Sequence, residues 1–90
     1  MRVRYNITVN GRVQGVGFRY FVLNNARQLG LLGFVNNQID GSVFIDVQGE
    51  REVVQYFIEL IKTGPSFAKV DEINTTLINQ LNEYNKFSIK

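Results

Sequence analysis

From Arg2 to Val9 the chain alternates strictly: Arg2, Arg4, Asn6 and Thr8 interleave with Val3, Tyr5, Ile7 and Val9. A period of two sends successive side chains to opposite faces, so this run predicts a β-strand with one buried face. The period then changes. Phe18, Phe21, Val22, Ala26 and Leu29 recur at helical spacing and predict a helix over 18–29, with Gly30 as its C-terminal stop. Between strand and helix lies the stretch Gly11-Arg12-Val13-Gln14-Gly15-Val16-Gly17, a glycine-rich turn.

Two further apolar runs, 31–38 and 42–48, flank Ile39-Asp40-Gly41, and an Asp-Gly pair between such runs predicts a hairpin. A second helix is predicted over 50–62, with Val53, Val54, Phe57, Leu60 and Ile61 on one stripe. Glu50 and Glu52 at its start and Lys62 at its end suit the helix dipole, and Gly64-Pro65 ends it. Strand-like residues follow over 69–78 and again over 86–90, where Phe87 and Ile89 share a face. The order strand, helix, strand, strand, helix, strand, with a short extra strand, fits an α+β ferredoxin-like split βαβ sandwich. That architecture is an antiparallel sheet of four to five strands with two helices on one face. It hosts many unrelated functions and selects none.

Ninety residues suffice for one domain, 1–90, and a composition 44% hydrophobic and 20% charged is that of a globular chain. The net charge of +2 is too small to imply nucleic acid through bulk electrostatics, so any anion site must be local. Cysteine and histidine are both absent. This removes disulfides, thiolate zinc sites, Cys and His nucleophiles, a histidine base and the Ser-His-Asp arrangement. No apolar run has the length of a secretory signal or a membrane span, which leaves the cytoplasm as the expected location.

Chemistry must therefore come from Arg, Asn, backbone dipoles and carboxylates. A glycine-rich strand-to-helix turn exposes N–H groups and is a candidate anion cradle. Arg19 falls in the first turn of the following helix, where a cation opposes the dipole unless an anion sits beside it. A guanidinium offers planar, bidentate bonds to phosphate oxygens. Asn37, at the end of the second strand, carries both a donor and an acceptor.

The spelling of these stretches resembles the acylphosphatase family. Gly11-Arg12-Val13-Gln14-Gly15-Val16-Gly17-Phe18-Arg19 is similar to its G-x-V-Q-G-V signature followed by a variable residue, an aromatic and Arg. Gly33-Phe34-Val35-Asn36-Asn37, with Asp40-Gly41-Ser42-Val43 after it, matches the second. The likeness runs on to the Phe-Ser-Ile ending. It implies a small stand-alone acylphosphatase, a hydrolase that converts small acyl phosphates to a carboxylate and inorganic phosphate without metal or cofactor. By the same resemblance Arg19 holds the phosphate, backbone N–H groups of Val13, Gln14, Gly15, Val16, Gly17 and Phe18 cradle it, and Asn37 positions the attacking water. A monomer engaging neither nucleic acid nor membrane is expected. Gly17 departs from the pattern, since many members carry a side chain there.

Bland readings attach to the neighbours. Asn36 falls on the face opposite Asn37, Asp40-Gly41 reads as turn chemistry, Gln14 as a shaper of the loop, and Phe18, Phe21, Phe34, Phe44 and Phe57 as packing. Two rival functions stand beside the enzyme. An RNA-binding module of the same fold needs stacking aromatics on its open strands, whereas the outward face of the first strand is polar and 42–49 lacks the basic-Gly-aromatic pattern. A phosphate or carbamoyl-phosphate binding module without turnover, as at the start of a larger hydrogenase-maturation protein, is the other.

Overall fold

The alternation in the first strand sets the architecture, because its apolar face needs a cover. In the computed structural model, which describes residues 1–90, β1 (Arg2–Arg12) leads through α1 (Phe18–Gln28) to the hairpin of β2 (Leu32–Asn37) and β3 (Val43–Glu50). Helix α2 (Arg51–Thr63), β4 (Lys69–Ile78) and the short β5 (Phe87–Ile89) complete the chain. The five strands lie in the order β4-β1-β3-β2-β5. Ile7, Val9, Val35, Val43, Ile45 and Val47 on one face are fully buried, together with Val22 and Ala26 of α1 and Val54, Phe57 and Ile61 of α2. The expected α+β ferredoxin-like sandwich is the observed one.

Two expectations are corrected. The sheet is mixed rather than antiparallel, since β5 pairs parallel with β2, Val35 opposite Ile89. The chain leaves β4 at one edge, crosses to the other edge and enters β5 from the same end, so β5 runs against β4 and with β2. The first strand also continues past Val9 to Arg12, through a register shift between Asn10 and Gly11 opposite β4. A bulge of this kind lets pairing persist after the period-two pattern breaks.

The glycine of the Gly-Phe-Val motif has a steric cause. Gly33 has φ +136°, and a Cβ there would collide with the Asp46 carbonyl on β3.

The polar face of the sheet is not left to solvent. Segment 79–86 straps across it: Gln48 Nε2 donates to the Asn82 carbonyl at 2.9 Å while the Asn82 N–H donates to Gln48 Oε1 at 2.7 Å. Arg4 spans the same region, donating from Nε and Nη2 to the Asp46 carboxylate at 3.0 and 2.8 Å and from Nη1 to the Gln80 carbonyl at 3.1 Å. The hydrogen bond to Asp46 raises the Arg4 pKa above its ordinary value. Phe34 contacts Phe44 at a tilt and Tyr84 edge-on, at centroid distances of 5.8 and 6.4 Å. Asp46 is therefore a carboxylate with only 4% of its side chain exposed, acceptable because Arg4 neutralises it. Arg4→Leu removes that partner and should cost about 3 kcal/mol, the low end for a broken buried pair because Arg4 keeps 19% exposure. Urea unfolding checks this; a loss below about 0.5 kcal/mol, the scale of an ordinary surface substitution, would contradict it.

Candidate active site

The C-terminal ends of β1 and β2 lie at the same end of the sheet. Val9 pairs with Val43 on β3, and Val43 pairs in turn with Asn37 on β2. The two ends are thus one strand apart with the start of β3 between them, and not neighbours at a sheet edge. Asn37 shares a face with buried Val35, the helix side, and emerges exposed just beyond the core.

Between β1 and α1, residues 13–17 form the loop. Val13 is buried and anchors it, while Gly15 and Gly17 are exposed. Gly15 has φ 73° and Gly17 has φ 79°, whereas Val16 and Phe18 keep negative φ. Alternating signs of φ turn successive N–H groups toward a common side, the geometry of a backbone anion nest. Only glycine takes those two positions without strain.

The helix that follows is electrostatically open. Its N-cap, Gly17, supplies no side-chain bond, and its first turn contains no acidic residue. The first donor in register is Phe21, whose N–H reaches the Gly17 carbonyl at 3.2 Å; the N–H groups from Gln14 to Tyr20 donate to no acceptor within the chain. Those groups and the positive end of the α1 dipole attract an anion. Arg19 adds a full positive charge there, half-buried and absent from all three ion pairs of the protein.

Gln14 ties this loop to the β2–β3 turn. Its Nε2 donates to the Gln38 and Ser42 carbonyls, both at 2.8 Å. The turn is itself fixed: the Gln38 N–H donates to the Ser42 carbonyl at 2.8 Å, and Asp40 Oδ1 accepts from Ser42 N–H at 2.9 Å and Ser42 Oγ at 2.7 Å. Asp40 thus serves the turn, and the Ser42 hydroxyl and N–H hold its pKa below the ordinary 3.8. Asn36 is occupied on the other face, its Oδ1 accepting from Gln38 Nε2 at 2.8 Å. The Asn37 side chain is committed to no such bond and stands beside the turn that Gln14 grips.

Two features escaped the sequence reading. The side chain of Gln14, more than its backbone, joins the two motifs across 24 residues of sequence. Phe67, in the turn before β4, borders the loop at Gly17: a Cβ on Gly17 would lie 3.6 Å from its ring. No periodicity marks an exposed aromatic in a turn, so pattern alone had no signal for it. An apolar groove lined by Met1, Val3, Leu77 and Leu81 opens at the opposite end of β1 and holds none of these residues.

A family model described as Acylphosphatase matches residues 5–89. The acylphosphatase of Clostridium beijerinckii is 47% identical over 88 residues, covering 98% of each chain. The crystal structure of acylphosphatase from Bacillus subtilis superposes with a TM-score of 0.95 at 44% identity, again over 98% of each chain. Full-length HypF, in its phosphate- and nucleotide-bound form, superposes with a TM-score of 0.88 at 36% identity over all of this chain and 12% of that one.

Two measurements probe the geometry. Gln14→Ala deletes two neutral hydrogen bonds and should lower stability in urea by about 1–3 kcal/mol; an unchanged midpoint would mean the tie carries no weight. Because the Asp40 pKa is lowered in the native state, its contribution is fully present above pH 3.8 and is lost as pH falls through the lower native value. Asp40→Asn should therefore flatten the acid side of the stability profile, and superimposable profiles below pH 4 would contradict the turn bonds.

Proposed function

The chain belongs to the acylphosphatase family, hydrolases of acyl phosphates, and we propose that its reaction is carried by Arg19, the loop of residues 13–18 and Asn37. The observation that supports this most is the set of N–H groups from Gln14 to Tyr20 without acceptors in the chain, gathered with Arg19 at an uncapped helix end. A dianionic phosphoryl group answers each of those features: its oxygens take the N–H groups, its charge meets the dipole, and its two-oxygen face suits the guanidinium fork.

Asn37 then holds a water, its Oδ1 accepting a hydrogen bond from the water O–H and steadying it beside phosphorus. The water oxygen forms the new O–P bond as the P–O bond to the acyl carbonyl carbon breaks, opposite the attack. The carboxylate departs as a weak base and needs no acid from the protein. The water's proton passes to a phosphoryl oxygen of the substrate, and inorganic phosphate is released. Positioning and charge stabilisation suffice for such a transfer, which accords with a chain lacking histidine.

Residues 1–90 act as one unit, a monomer, in the cytoplasm; no helix is long and apolar enough to cross a membrane. Hydrolysis proceeds without cofactor or metal, since the acyl phosphate carries its own good leaving group and Arg19 with the loop N–H groups supplies the charge stabilisation. The reading includes no nucleic-acid partner; the strap of residues 79–86, with Tyr84 against Phe34, lies over the face on which bases would stack, which supports it.

Benzoyl phosphate hydrolysis in the presence of a chelator tests the assignment. Asn37→Ala should lower kcat by about 100- to 1,000-fold while inorganic phosphate still binds competitively. Arg19→Lys should weaken both phosphate binding and turnover, since the ammonium loses the fork. Near-normal rates in either variant, or loss of native activity to the chelator, would refute it.

A further inference from the structure

The two halves of the proposed site stand on strands that are not neighbours: the loop of residues 13–17 leaves β1, Asn37 ends β2, and β3 lies between. Asn37 closes the β2–β3 ladder opposite Val43, so the residues just past that last pair are Gln38 on one strand and Ser42 on the other. Theirs are the two carbonyls that Gln14 grips. Its Nε2 donates to each at 2.8 Å, and no other hydrogen bond joins the loop to this turn. Each carbonyl also accepts a backbone N–H, from Gly41 onto Gln38 and from Gln38 onto Ser42, so both lone pairs are taken. The grip is therefore fixed in direction as well as in length.

The Asn37 side chain is exposed and makes no hydrogen bond of its own, so its aim is set by the backbone beneath it. That backbone lies one peptide from the first gripped carbonyl and across the last ladder pair from the second. Gln14 meanwhile sits in the loop between buried Val13 and Gly15, and its own N–H is among those without an acceptor. One residue thus carries a donor for the phosphate and the strut that sets where the water stands. In-line attack needs both at once, since a misplacement of about 1 Å can cost about a hundredfold in rate.

We propose that Gln14 is a positioning residue for the hydrolysis: through the Gln38 and Ser42 carbonyls its side chain holds Asn37, and the water on it, in line with the phosphate in the loop. The inference rests on Asn37 placing the water. It gives the strut a part in the reaction distinct from its part in stability.

The test is a double-mutant cycle on benzoyl phosphate hydrolysis, run where urea unfolding shows each variant folded. Gln14→Met keeps the length and bulk of the side chain and removes the donor. It should lower kcat about tenfold, while the inhibition constant of inorganic phosphate stays within about twofold because the loop N–H groups and Arg19 are intact. In the Asn37→Ala background the same change should lower kcat by less than about twofold, since no amide is left to aim. Gln14→Asn, one methylene too short to reach both carbonyls, should repeat the pattern, and it carries the test if the Met variant does not fold. Unchanged kcat in the folded Gln14 variants, or a loss that multiplies with that of Asn37→Ala, overturns the positioning role and leaves the proposed function standing. A phosphate constant that weakens in step with kcat does the same, because it marks a damaged cradle. Near-normal turnover in Asn37→Ala overturns the proposed function and this inference with it.

Discussion

Helix α1 begins without the groups that ordinarily complete a helix N-terminus, and the molecule is arranged to keep it that way. Its cap is a glycine, its first turn has no carboxylate, and its only charged residue there is Arg19. Each choice is unfavourable for an isolated helix, where orphan N–H groups and a cation at the positive pole both cost stability. The sheet compensates. Buried Val13 and Phe18 pin the two sides of the loop into the core, so the chain adopts the open conformation because packing on either side demands it. In the proposed function, what is unfavourable without an anion serves as a preorganised binding surface for one.

The second motif is brought to the first by strand order and by one side chain. Both β1 and β2 pair with β3, which sets their ends in the same row, and Gln14 then spans the gap to the turn. The turn in its turn depends on Asp40 and Ser42, which fix the carbonyls that Gln14 grips. Asn37 is held by the backbone ladder and by a turn of defined shape, leaving its amide uncommitted. Far from this end, the Arg4–Asp46 pair and the Gln48–Asn82 bonds fasten the strap over the opposite face.

Much of this was legible in the sequence because it is local. The alternation of Val3, Tyr5, Ile7 and Val9, the helical stripe of Val54, Phe57 and Ile61, and the Asp40-Gly41 hairpin each follow from a period or a turn preference. The limits of β4, 69–78, were read without error. What was not legible depends on distant partners. The burial of Asp46 is one such case, because Arg4, 42 residues away, and the strap cover it. The bulge at Gly11 and the parallel seat of β5 arise from pairing across the sheet, which no window of sequence contains. Arg19 and Asn37 stood out through their motifs, whereas the Gln14 strut and Phe67 needed coordinates to be seen.

The central claim is that a phosphoryl group is held by backbone N–H groups at the start of α1. Amide NMR of the isotopically labelled chain, titrated with inorganic phosphate, reads those groups one by one. The account requires saturable shifts confined to the amides of residues 14–20 and the Arg19 guanidinium, with Asn37 responding weakly. Shifts centred elsewhere on the surface, or none at the loop while phosphate inhibits turnover, would contradict it.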